Sequence, residues 1–192
     1  MKKVKDLVKD SIFCAILCTV IMLFNFISLA DYLYISLIIL IFLGCYFQNK
    51  EIKRVVISTA IIFLVSNLII NPLYVLIFVL PSLLLGIIAT IFLQRKITFK
   101  IAFLALSAVC FTINMIIELA FAKFIMNMNF FDYILLDDTF GMQELILEFS
   151  KLFIACYIVM VAIISVMEIL LLYSVNKIYK RRIAPLIKEE IE

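Results

Sequence analysis

Six long apolar runs dominate the chain and leave few folds open to it. They cover 11–30, 32–48, 55–71, 73–93, 101–122 and 150–175. A helix that crosses a bilayer needs about 20 mostly apolar residues, because each advances about 1.5 Å through a hydrocarbon layer about 30 Å thick. Runs this long and this continuous lack the alternation of a barrel strand, so they predict helices. No soluble domain could hide them. Of 192 residues, 67% are apolar and 16% charged, with a mean hydropathy of +1.24; soluble domains carry about 25% charged residues. The expectation is one all-α domain over 1–192, an integral membrane bundle of six transmembrane helices. The second run is the shortest and has to stand nearly upright. Asp31 marks the first turn, and Asn71-Pro72 divides the third span from the fourth, since the residue before a proline is biased away from helix.

The basic residues set the orientation. With the N-terminus inside, the inner segments hold Lys2, Lys3, Lys5 and Lys9, then Lys50, Lys53 and Arg54. They also hold Arg95, Lys96 and Lys100, then Lys177, Lys180, Arg181, Arg182 and Lys188. Of seventeen Lys and Arg residues, only Lys123 and Lys151 fall outside. Both termini are therefore expected in the cytoplasm. The net charge of +3 reflects this asymmetry and not an affinity for nucleic acid. Basic helix ends also attract anionic lipid. Lys2-Lys3, an apolar stretch and Ser28-Leu29-Ala30 have the outline of a signal peptide. However, the apolar run is too long and Asp6 and Asp10 interrupt the basic head, which favours a retained first span.

The connections are short except for 123–149, which is expected to be external and acidic, with Asp132, Asp137, Asp138, Glu144 and Glu148. Within it Met142, Leu145, Ile146 and Phe149 share one helical face, and Thr139 is a suitable N-cap. A lid over an outward-facing site and a solvated tether are both open readings.

Polar residues inside the runs are the functional candidates. Asn114 and Glu118 are four apart on the fifth span, Asn67 and Asn71 four apart on the third, and Asn25 lies on the first. The orientation above puts all five in the outer third of the membrane. Together with Tyr74 they would line an outward-open pocket for a small polar or cationic ligand. The alternative is that they are interhelical glue, at about 0.6 kcal/mol per contact. Glu168 lies nearer the inner end of the sixth span. Its expected depth differs from that of Glu118 by roughly 15–20 Å, so it stands alone and is expected to pair with Lys177 or another inner base. On the first span Ser11, Ala15 and Thr19 recur every four residues, with Cys14 and Cys18 beside them. Small residues at that spacing admit a closely packed helix, either an internal neighbour or a partner protein. Pro81 is expected to kink the fourth span, and Gly86 to allow close packing nearby.

Catalysis has no foothold. The chain has no His, no metal-ligand cluster and no phosphate-binding glycine loop, so neither an enzyme activity nor a cofactor is expected. Its five cysteines all lie in apolar runs and are read as small residues packed between helices, not as a disulfide framework.

Three stretches carry a family resemblance: Lys5 to Ala15 (KDLVKDSIFCA), Asn71 to Lys96 (NPLYVLIFVLPSLLLGIIATIFLQRK) and Tyr173 to Arg182 (YSVNKIYKRR). With six spans and both ends inside, the chain resembles the YybS-like family of bacterial membrane proteins. That family falls within the broader group resembling substrate-binding S components of energy-coupling factor transporters. The resemblance implies a multi-pass protein of the bacterial cytoplasmic membrane with an outward-facing ligand pocket. It also implies a partner, the transmembrane coupling subunit with its ATPases. An Ala-x-x-x-Ala pattern on the first helix of S components contacts that subunit, and the matching place here reads Ala15-x-x-x-Thr19, preceded by Ser11. The function expected is a membrane-embedded binding subunit of a transporter for a small molecule, vitamin-like or cationic. The rival is a membrane scaffold or assembly factor for envelope or sporulation proteins.

Overall fold

A computed structural model describes residues 2–26, 32–48, 50–95, 98–136 and 150–183, and all regular elements among them are helical. They are α1 (Lys2–Phe26), α2 (Tyr32–Phe47), α3 (Ile52–Ile69), α4 (Pro72–Tyr74), α5 (Leu80–Gln94), α6 (Phe99–Phe124), α7 (Phe130–Leu136) and α8 (Ser150–Ile178). A π-helical turn, Val75–Val79, joins α4 to α5, and another, Tyr179–Ile183, extends α8. Five stretches are long and apolar enough to cross a membrane, among them the continuous Pro72–Gln94. The protein is thus an all-α membrane bundle. The helices overrun the apolar stretches at the charged ends. α1 begins at Lys2 and α8 with its π turn reaches Ile183, because charged side chains extend a helix into the interface as readily as apolar ones extend it through lipid.

The short helix α2 occupies the centre. Ile35, Ser36, Ile39, Leu40, Leu43, Gly44, Cys45 and Phe47 are all buried on it. A helix that is apolar on every side has to be enclosed on every side. It packs mainly on α5 and α8. Protein and not lipid surrounds it, so its length need not match the bilayer. The outward faces of α1, α3, α6 and α8 carry exposed side chains such as Ile16, Leu68, Leu104 and Met160, as lipid-facing helices should.

The fourth span accommodates Pro81 by changing helix type. A proline removes one backbone donor from the ladder. The turn before it widens, and the Leu80 N–H donates to the Val75 carbonyl five residues back. The Ser82 hydroxyl donates to the carbonyl of Phe78 at 2.6 Å. In hydrocarbon, where no water can satisfy a freed carbonyl, such local adjustments make a proline tolerable. Thr59, Thr90 and Ser165 likewise donate to the carbonyl four residues earlier, at 2.8, 2.8 and 2.9 Å.

Gly86 sets the approach of α5 to α2. A Cβ there would stand 2.4 Å from Leu43 Cδ1 and 3.1 Å from Leu43 Cβ. At Gly44 a Cβ would meet only the ends of Leu172 and Leu93, at 2.8 and 3.3 Å. Cys14, Cys18, Cys45 and Cys110 are buried, as expected of small packed residues, but Cys156 is exposed on α8. It lies on the outward face with Val159 and Met160, so not every cysteine packs between helices.

The two glycines predict different responses. Gly86→Ala pushes on the Leu43 Cβ, which cannot move unless α2 moves, and is expected to cost about 1–2 kcal/mol despite the better helix propensity of alanine. Gly44→Ala meets flexible side-chain ends and is expected near neutrality, within about 0.5 kcal/mol. Thermal unfolding in detergent measures both.

Candidate functional site

The candidate site lies where α6 and α8 face each other. Residues four apart share a helix face, so Cys110 and Asn114 look the same way on α6; Ser165 and Glu168, three apart, do so on α8. The Asn114 amide Nδ2 donates to Glu168 Oε2 at 2.9 Å and to Ser165 Oγ at 3.0 Å. Cys110 Sγ donates to the same Glu168 oxygen at 2.9 Å. All four side chains are buried, Asn114 at 0% exposure and Glu168 at 3%. These partners of the carboxyl are a thiol and an amide, both neutral.

This pairing corrects the expectation for Glu168. It is not alone at its depth and does not reach for Lys177, which is exposed at the end of α8. The depth estimate failed because it counted from the apolar runs. α6 starts at Phe99 and the α8 rod ends at Ile183, so Asn114 and Glu168 each lie fifteen residues from the basic end of their helix, roughly 22 Å. They meet near mid-membrane, so Asn114 is deeper than the outer third. Glu118 is one turn further out on α6 and buried. Two buried acceptors, Glu168 Oε1 and Asn114 Oδ1, have no hydrogen-bond partner among the described residues.

The other expected ligand groups have separate placements. Tyr74 is half-buried and packs on Phe78, with ring centroids 4.6 Å apart. Phe78 in turn meets Phe121 of α6 at 5.7 Å, so Tyr74 packs through Phe78 against the helix that carries Asn114 and Glu118. Asn67 donates to the Phe63 carbonyl of its own helix at 2.9 Å. The exposed Asn71 accepts from the Leu73 N–H at 2.9 Å and caps α4. Asn25 is half-buried near the end of α1. The amides of Asn67 and Asn71 thus serve the local backbone. The segment with Thr139, Met142, Leu145, Ile146 and Phe149 lies outside the described residues. Of the 123–149 connection, α7 is described; Tyr133 packs edge-on to Phe121 with centroids 5.7 Å apart.

The Ser11, Ala15 and Thr19 face of α1 is exposed. Ser11 and Thr19 return their hydroxyls to the carbonyls of Leu7 and Ala15, at 3.0 and 2.9 Å. The internal neighbour is met instead by Cys14, whose thiol points to the Ser58 carbonyl of α3 at 3.8 Å. Between the two faces runs a groove of about 340 Å³, lined by Ser11, Cys14, Ala15 and Cys18 of α1 and by Ile57 and Ile61 of α3.

At the basic end of this groove is an ionic cluster. Asp10 is 8% exposed. It accepts from Tyr46 Oη at 3.0 Å, from Arg54 Nε at 2.8 Å and Nη2, and from Lys50 Nζ. Lys50 also sits 3.6 Å above the Tyr46 ring, which stacks on Phe13 at 3.9 Å. Burial pushes the Lys50 ammonium below the ordinary lysine range, against the pull of Asp10. Gln94 Nε2 donates to the carbonyls of Phe47 and Lys50, at 3.0 and 2.7 Å, and ties α5 to the same corner. The cue in the sequence was an acid in a basic head, Asp10, facing a basic turn, Lys50 to Arg54.

The chain matches no protein-family profile, no curated protein and no solved structure.

Removing the shared acid leaves two cations facing each other in a half-buried corner. Asp10→Ala is expected to destabilise the bundle by about 2–4 kcal/mol, less than a fully buried pair because Lys50 and Arg54 keep partial access to water. Tyr46→Phe removes one of several bonds and is expected to cost about 1 kcal/mol. Denaturation in mild detergent separates the two.

Proposed function

We propose that the protein is a membrane-embedded small-molecule binding subunit of a transporter, without chemistry of its own, and that its ligand is a cation-bearing solute. The observation that carries this reading is the Glu168 carboxyl, 3% exposed, with one oxygen held by Cys110 and Asn114 and the other without a partner. A buried acceptor without a donor costs about 1–3 kcal/mol, and ionisable groups at this depth commonly mark a substrate or ion path. Two such acceptors side by side, Glu168 Oε1 and Asn114 Oδ1, are matched by a ligand that brings donors and positive charge. Glu118 lies one turn beyond Asn114 on α6 and is buried, and the Tyr74–Phe78–Phe121 stack packs on the same helix. The exposed Ser11, Ala15 and Thr19 face supports docking to a transmembrane coupling subunit with its ATPases, as the resemblance to S components implies. The membrane in question is the bacterial cytoplasmic one.

The scaffold reading is favoured by the groove between α1 and α3, whose apolar walls and small-residue floor suit a partner helix. The two readings differ in what Glu168 does. In the purified protein, choline, spermidine and ethylammonium are expected to raise the unfolding temperature where glycerol and succinate do not. Glu168→Gln, which keeps shape and loses charge, is expected to abolish the shift for the cation that binds while leaving the protein folded. Indifference to all three cations, with Glu168→Gln as stable as the parent, would refute the transporter reading and leave the scaffold.

A further inference from the structure

A second cavity, of about 560 Å³, opens at the basic end of the bundle between the end of α5, the start of α6 and the end of α8. Its lining does not include Glu168 or Asn114, and its chemistry is different. Arg95, Lys177 and Lys180 line it, and among the described residues no acidic side chain does. Tyr173, Lys177 and Lys180 follow at i, i+4 and i+7 and therefore occupy one face of α8 and its π extension. Phe92, Phe99 and Leu170 supply apolar wall, and Phe99 meets Tyr173 edge-on at 4.9 Å. Asn176 also lines the cavity. It is 4% exposed, and its Oδ1 has no hydrogen-bond partner among the described residues.

We infer that this cavity binds the headgroup of an anionic, hydroxyl-bearing glycerophospholipid of the leaflet that the basic helix ends face, of the phosphatidylglycerol kind. Three convergent cations match a phosphodiester. A cavity with a cationic rim and apolar walls suits an amphiphile, because the phosphate stays at the interface while the first acyl carbons lie against Phe99 and Leu170. A buried acceptor among donors calls for a ligand that carries its own donor. Phosphatidylglycerol has hydroxyls for Asn176, whereas a phosphatidylcholine headgroup has no donor and no net charge. Basic pockets between transmembrane helices recognise anionic headgroups on this physical basis. The neighbouring Ser174 hydroxyl is a second partner of the same type.

The test is lipid retention by the full-length protein, measured by native mass spectrometry after exchange between nanodiscs of phosphatidylcholine alone and nanodiscs containing phosphatidylglycerol or phosphatidic acid. The parent is expected to retain phosphatidylglycerol over phosphatidylcholine by at least about tenfold. Each basic side chain near the surface contributes a factor of about five, so Lys177→Gln with Lys180→Gln is expected to remove most of the preference. Lys123→Gln with Lys151→Gln, equal in charge but at the opposite end, is expected to leave it intact. Asn176→Leu is expected to narrow the preference for phosphatidylglycerol over phosphatidic acid, which lacks the glycerol hydroxyls. Equal loss in both lysine pairs would overturn the site in favour of diffuse charge attraction. Displacement of the lipid by millimolar glycerol 1-phosphate or inorganic phosphate would overturn the lipid as ligand and assign the cavity to a soluble phosphate.

Discussion

A carboxyl group placed in hydrocarbon has to find its hydrogen bonds inside the protein, and Glu168 finds them on α6. That requirement fixes the rotation of α8, because Ser165 and Glu168 must both face Asn114 and Cys110. It fixes the rotation of α6 in the same stroke. Once both helices are set, their remaining faces follow: Leu106 and Ile117 inward, Leu104 and Ile116 outward. In water the same side chains would be satisfied in any orientation. The bilayer turns a few polar atoms into a specification of helix facing.

The bundle holds two polar centres of different physical character. The mid-membrane one joins Glu168 to a thiol and an amide and holds two acceptors that have no partner among the described residues. The one at the basic end joins Asp10 to Lys50 and Arg54, whose side chains keep 22% and 30% of their exposure. Full charges are tolerable there because the interface supplies water and counter-ions, and buried pairs become costly only when desolvation is complete. Between them the central helix α2 carries little polarity and packs by shape, with Leu43 over Gly86. The ionic corner, α2 and the α6–α8 seam all hold helices together, and the seam in addition carries the acceptors on which the proposed ligand site rests.

Much of the fold was legible in the residues. The apolar runs gave the helices and their order, and the placement of Lys and Arg at one end agrees with the corner where Asp10, Lys50, Arg54 and Gln94 meet. Gly86 was readable as a close approach because it acts through its own backbone; Pro81 predicts a kink, and what stands before it is a π-helical turn. The site was legible only in part. Asn114 and Glu118 stood out, but Glu168 was misread, because its partner depends on where helices end in the interface and hydropathy does not register a helix that continues through Lys177 and Lys180. Asn67 and Asn71 looked like ligand groups because an amide in an apolar run draws the eye. The backbone offered them nearer partners in Phe63 and Leu73, and composition carries no trace of that competition.

The most direct test of the central claim is the coupling between Asn114 and Glu168, measured as a double-mutant cycle of Asn114→Ala and Glu168→Ala on unfolding free energy in a bilayer-mimetic detergent. The account predicts a coupling of about 0.6–1.7 kcal/mol, the range of interhelical hydrogen bonds in membranes. Strict additivity of the two substitutions, within about 0.3 kcal/mol, would mean that the carboxyl and the amide do not meet, and would contradict it.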